Sequence, residues 1–105
     1  MAFQISSALL DACVLSVLSR SDVYGYELTQ KIMNVVSVSE STLYPVLRRL
    51  QKDALVTTYD MPFNGRNRRY YSITAEGRDK LYEYRKDWEQ YKQNIDNILG
   101  GYLYD

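Results

Sequence analysis

A chain of 105 residues with 13 basic and 13 acidic side chains and a hydrophobic fraction of 46% is sized for one domain with a modest core, and is too apolar for disorder. It has no histidine and a single cysteine, Cys13, and shows no Gly-rich phosphate loop or nucleophile motif, so an enzyme, a metal site and a cofactor are all unexpected. No stretch is long and apolar enough to span a bilayer, and there is no signal peptide with a basic start and apolar centre, which makes cytoplasmic the expected location. The zero net charge conceals an uneven distribution. Between positions 41 and 73 stand six basic residues, Arg48, Arg49, Lys52, Arg66, Arg68 and Arg69, against Asp53 and Asp60, and the remainder of the chain carries the compensating acidic excess. A basic middle between acidic flanks is the footprint of a nucleic-acid-binding segment.

Residues 3–19 are predicted to form a first helix, with Ile5, Leu9, Leu10, Cys13, Val14, Val17 and Leu18 in a wide apolar stripe. Such a stripe needs more than one neighbour, so this helix is expected to be central or to face a partner chain, with Cys13 as core. After a polar break at 20–23, residues 24–36 predict a second helix with Leu28, Ile32, Met33 and Val36 on its apolar face. Gly25 near its start permits close approach of another backbone, and the free N–H groups there could hold a phosphate.

A short connection at 37–38 leads to the stretch S-E-S-T-L-Y-P-V-L-R-R-L, residues 39–50. Small hydroxyl residues suit an N-cap. Leu43, Val46, Leu47 and Leu50 follow at i, i+3, i+4, i+7, one buried helical face. The other face carries Ser41, Thr42, Tyr44, Arg48 and Arg49. This is either an ordinary solvated face or one that lies in a DNA groove, hydroxyls near base edges and arginines near phosphate or guanine. Pro45 fits poorly if Ser39 is the cap, because one backbone hydrogen bond is then lost; a cap at Ser41 or Thr42 reduces that cost. Two helices joined by a short turn, the second with a polar face, match the helix-turn-helix pattern.

Residues 55–61 (L-V-T-T-Y-D-M) and 68–73 (R-R-Y-Y-S-I) predict two strands joined by a turn at 62–67. Arg66, Arg68 and Arg69 make the hairpin's tip and edge basic. Directly after a helix-turn-helix this favours a wing gripping the DNA backbone or minor groove over a hairpin with incidental surface charge. Thr74 then caps a helix to about Leu99, roughly 39 Å long at 1.5 Å per residue. Leu81, Tyr84, Trp88, Tyr91, Ile95 and Ile98 follow one another at alternating spacings of three and four, a heptad seam. A helix this long cannot lie wholly on so small a domain and is expected to pair with a second copy, as palindromic DNA half-sites also require. The expected organisation is therefore a mainly α chain with a small β hairpin: a winged helix-turn-helix over 1–73, then a dimerisation helix and short tail over 74–105. Tyr102, Leu103 and Tyr104 of the tail could dock elsewhere.

The segments V-Y-G-Y-E-L, S-T-L-Y-P-V-L-R-R-L and G-R-N-R-R-Y-Y-S-I-T-A-E-G resemble the PadR-like transcriptional regulators, a winged helix-turn-helix family, over nearly the whole chain from about Leu9 to Ile98. The resemblance implies that Ser39, Ser41, Thr42, Tyr44, Arg48 and Arg49 face the major groove or its phosphates of a palindromic double-stranded operator. It also implies that Arg66, Arg68 and Arg69 belong to the wing and that Tyr24 touches the DNA backbone. Where the family usually has glycine before the first wing strand this chain has Ala54, which puts the detail of that helix end in question.

The single C-terminal helix resembles the compact, LmrR-like subfamily of multidrug-binding repressors, in which a tryptophan on the dimerisation helix stacks planar aromatic compounds. Trp88 occupies the corresponding place, flanked by Tyr84 and Tyr91. It either fills the seam as packing or lines an aromatic-binding cavity there. The reading is a homodimeric, DNA-binding repressor responsive to a small aromatic effector. The alternative is a winged-helix adaptor that pairs through its last helix without touching DNA; the basic hairpin is the feature that an adaptor would not need.

Overall fold

The computed structural model describes residues 2–100; the 102–104 segment for which docking is expected lies outside them. The first helix, α1 (Ser7–Arg20), starts later than its apolar stripe does, because Ser6 caps it, accepting the Leu9 N–H at 3.1 Å. Ile5 therefore precedes the helix. Leu10, Val14, Leu15 and Leu18 are buried, and α1 is the central helix: α2, α3 and α4 all pack on it.

The polar break holds a strand that its two-residue length hid from the periodicity, β1 (Val23–Tyr24). Next come α2 (Gly25–Met33), shorter than predicted, and α3 (Glu40–Lys52). Ser39 is the N-cap residue of α3, in extended conformation, so Pro45 does stand inside the helix. The Ser41 carbonyl consequently loses its partner four residues on, at an exposed position where water can replace it. The Ser39 hydroxyl does not cap the backbone. It bonds the side chains of Ser41 and Thr42 at 2.9 and 3.1 Å.

The end of α3 is a left-handed cap built on alanine. Ala54 has φ 61°, its N–H donates to Gln51 O (3.1 Å) and the Leu55 N–H to Leu50 O (2.9 Å), the paired bonds of a Schellman motif. The hairpin is longer and tighter than expected: β2 (Val56–Phe63) and β3 (Arg66–Ile73) are joined by Asn64–Gly65 alone. Both turn residues have positive φ, 50° and 77°, the type I′ geometry that matches strand twist. Pro62 is thus in a strand, not a turn. It is tolerated because the sheet order β1-β3-β2 leaves β2 on an edge.

Thr74 caps α4 (Ala75–Leu99). Its hydroxyl accepts the Gly77 N–H at 2.9 Å and donates to Ala54 O at 2.7 Å, tying the last helix to the end of α3. Gly77 lies so close that an added Cβ would collide with the Leu55 carbonyl oxygen and stand 2.7 Å from Ile73 Cγ1.

Along α4 the heptad seam divides. Leu81 is buried in the chain's own core and Tyr84 packs against it, so the chain itself covers these two expected dimer positions. Beyond them Trp88 is 40%, Tyr91 60% and Ile98 56% exposed, and Ile95 is half-buried. The described chain measures 61 Å along its longest axis. No helix of it is long and apolar enough to cross a membrane.

Candidate nucleic-acid interface

Leu43, Val46, Leu47 and Leu50 seat α3 in the core and set which side chains point outward. Ser39, Ser41, Thr42, Tyr44 and Arg48 are exposed, and so is Lys52, one turn beyond Arg48. Arg49 does not share this face. It turns back onto α1, its Nη1 and Nη2 donating to the two carboxylate oxygens of Asp11 at 2.9 and 2.5 Å, and Nη2 reaches the Ser7 hydroxyl at 3.2 Å. Asp11 is only 4% exposed. The hydrogen-bonded carboxylate raises the Arg49 pKa further above its ordinary value, against a smaller opposing effect of burial. Arg49 is thus a fixed, neutralised charge, and its placement on the groove-facing side is corrected. The sequence did hold a signal for this: an aspartate inside the apolar run L-L-D-A-C-V-L needs a buried partner.

The three wing arginines also separate, because strand side chains alternate. Arg66 and Arg68 share one face of β3 with Tyr70. Arg69 shares the other with Tyr71. Arg68 is half-buried, its guanidinium carbon 3.6 Å from the Phe63 ring centre and 4.5 Å from that of Tyr24. This cation–π sandwich straps the wing to the start of α2. Tyr24, paired with Tyr70 across the sheet, is the N-cap residue of α2. Tyr59 stacks on Tyr70 with centroids 5.6 Å apart and donates to Asp22 at 2.7 Å. Arg66 is exposed beside the turn, and Arg69 stands 3.7 Å from Asp60 in an exposed pair that holds it only weakly.

Tyr71 is the residue that pattern reasoning missed. A Cβ on Gly25 would stand 3.2 Å from the Tyr71 ring, a tight contact that glycine avoids. Burial pushes the Tyr71 phenol pKa up, while the charges of Arg69 and Arg48 pull it down. The charges of Arg48 on α3 and of Arg69 on β3 are thus both near enough to act on the Tyr71 hydroxyl. The resulting surface combines Tyr44, Arg48, Arg69 and Tyr71, with the hydroxyl cluster Ser39, Ser41 and Thr42 at the start of α3.

The proposed ligand residues divide likewise. Trp88 and Tyr91 lie together with ring centroids 6.3 Å apart and tilted by 42°, whereas Tyr84 points to α1 and donates to Asp11 at 3.2 Å. Two concavities lie elsewhere. One, of about 640 Å³, runs between α1 and α2 beside Cys13, Val17 and Val36. The other, of about 410 Å³, lies beside Ile5, Pro45 and Arg49. Cys13 is half-buried rather than core, and burial raises its thiol pKa.

Residues 14–83 match the family model described as the transcriptional regulator PadR-like family. The chain is 38% identical over 82 residues to the transcriptional regulator Rv3488 of Mycobacterium tuberculosis, covering 77% of this chain and 74% of that one. Among solved structures, smu.1704 from Streptococcus mutans superposes with a TM-score of 0.88 at 39% identity, over 96% of this chain and 95% of the other. A PadR-like transcriptional regulator from Bacillus cereus gives 0.79 at 35% identity, over 87% and 91%.

Proposed function

The chain belongs to the PadR-like family of transcriptional regulators, and from that premise we propose that it acts as a homodimeric repressor of palindromic operators. In this reading α3 enters the major groove, with Ser39, Ser41, Thr42 and Tyr44 near base edges and Arg48 on phosphate or guanine. Arg69 continues the phosphate contact from the wing, Arg66 takes the adjacent backbone, and Tyr24 meets a phosphate at the start of α2. Arg68 serves chiefly to hold the wing in place. The observation that carries the reading is that Arg48 on α3 and Arg66 and Arg69 on the hairpin that follows it are all exposed, together with the hydroxyls of Ser39, Ser41 and Thr42 at the start of α3. The exposed half of α4 supplies the pairing surface, and Trp88 with Tyr91 would receive a planar aromatic effector there.

The test starts from a duplex recovered by selection from random sequence. Arg48→Ala removes one phosphate contact per protomer, two per dimer, so the slope of log K against log salt should become shallower by about 2. Binding by the variant with an unchanged slope would deny Arg48 that role. Failure of the wild-type protein to enrich any duplex would favour an adaptor.

A further inference from the structure

Among the described residues Asp11 is the buried ionisable side chain, and it stands where three helices meet. Its Oδ1 accepts from Arg49 Nη2 on α3. Its Oδ2 accepts from both Arg49 Nη1 at 2.9 Å and the Tyr84 hydroxyl of α4 at 3.2 Å. One carboxylate oxygen therefore joins the recognition helix to the long helix. The two helices pack on α1 far more than on each other, so this oxygen of α1 is a polar bridge between them. Tyr84 lies one turn before Trp88, at the point where α4 leaves the core.

We propose that Asp11 is a positioning residue for the recognition helix, and that the Tyr84–Asp11–Arg49 relay transmits the placement of α4 to α3. Arg49 fixes the C-terminal half of α3 against α1. Tyr84 makes that fixation depend on how α4 sits. Whatever displaces α4 near Trp88, whether a guest or the angle of a partner helix, acts first on the hydroxyl one turn away. Loss of its hydrogen bond leaves Asp11 held by Arg49 alone, and α3 gains freedom at Arg48 and Lys52. A bidentate charged pair suits such a relay, since its geometry tolerates little displacement. The consequence for DNA rests on the function proposed above; the mechanical link between α4 and α3 does not.

Hydrogen–deuterium exchange on the full chain tests the link without DNA. Tyr84→Phe keeps the ring and removes the hydroxyl. Amides of α3 should then exchange faster by roughly two- to tenfold, the equivalent of one net hydrogen bond, while those of α2 keep their wild-type rates. Arg49→Lys keeps the charge but cannot span both oxygens, and should release the same α3 amides. Wild-type exchange of α3 in both variants, or equal acceleration of α2 and α3, overturns the relay. On the selected duplex, Tyr84→Phe should lose affinity within the same range at an unchanged salt slope, because no phosphate contact is removed. Full affinity alongside released α3 amides would overturn the positioning role. If the wild type binds no duplex, the DNA reading fails while the exchange data still decide the relay.

Discussion

Ala54 sits at φ 61°, a conformation that costs an L-residue with a Cβ about 1–2 kcal/mol relative to the right-handed basin. Its carbonyl is held by the Thr74 hydroxyl, so the strain is retained by the contacts around it. Ala54→Gly should raise the unfolding free energy by about 0.5–1 kcal/mol, the relieved strain less the added freedom of the unfolded chain, read from the urea midpoint at unchanged m-value. Gly77 is the opposite case. Its φ permits alanine, but the space does not, and Gly77→Ala should lower stability by roughly 2 kcal/mol or more through displacement of α4 from Leu55, visible as a lower melting temperature. Arg49→Ala would leave the Asp11 carboxylate buried without its charged partner. With the arginine side chain 41% exposed, water moderates the loss, and about 2–3 kcal/mol is expected, compared with less than about 0.5 kcal/mol for Arg48→Ala. Equal stability of the two variants would show that the pair is not structurally needed. Thr74 was legible as a cap because its signal is local, whereas the choice among Ser39, Ser41 and Thr42 was not fixed by theirs. Tyr71 and the inward turn of Arg49 were not legible, because each depends on an element far away in sequence.

Elements were read well where their period was long and poorly where a few residues decided them. The buried face of α3 follows from its leucine and valine spacing, and the 25 residues of α4 from a sustained heptad. The two-residue β1 has no period to detect. Pro62 reads as a breaker in the sequence, yet an edge strand accepts proline and Asn64–Gly65 suffices to reverse the chain, so the turn is shorter than 62–67. That extra strand length matters to the site. It puts Phe63 and Arg66 in register and brings Phe63 under Arg68, so the middle arginine of the wing becomes a strap. Arg68→Lys, which keeps the charge and loses the flat guanidinium, should therefore weaken binding to the selected duplex by roughly two- to tenfold, about what a cation–π contact contributes, while leaving the salt slope as it was. A shallower slope would return Arg68 to the phosphate contacts.

At the scale of the whole molecule the informative quantity is where apolar surface is left uncovered. The neutral net charge said little, since the basic edge is compensated by acids elsewhere in the chain. The heptad of α4 was legible, but its division was not: positions that close on α1 and positions that face outward have the same spacing, and only the docking of α1 beneath Leu81 and Tyr84 tells them apart. Past Tyr84 the helix presents Trp88, Tyr91, Ile98 and Leu99 on a segment that adds little to the core of its own chain. This makes a clean test of pairing available. Ile98 is 56% exposed, so Ile98→Asp removes little packing from the single chain and should lower its melting curve at infinite dilution only slightly, by the cost of a carboxylate in the last turn of α4. In a dimer it places one carboxylate per protomer in an apolar seam, at roughly 2 kcal/mol or more each, which weakens association at least several hundredfold. Light scattering after size exclusion should then report the mass of one chain where the wild type reports two, and Trp88 emission should shift to the red as the seam opens. A wild-type mass of one chain at micromolar concentration would remove the dimer from the reading, and with it the requirement for a palindromic operator.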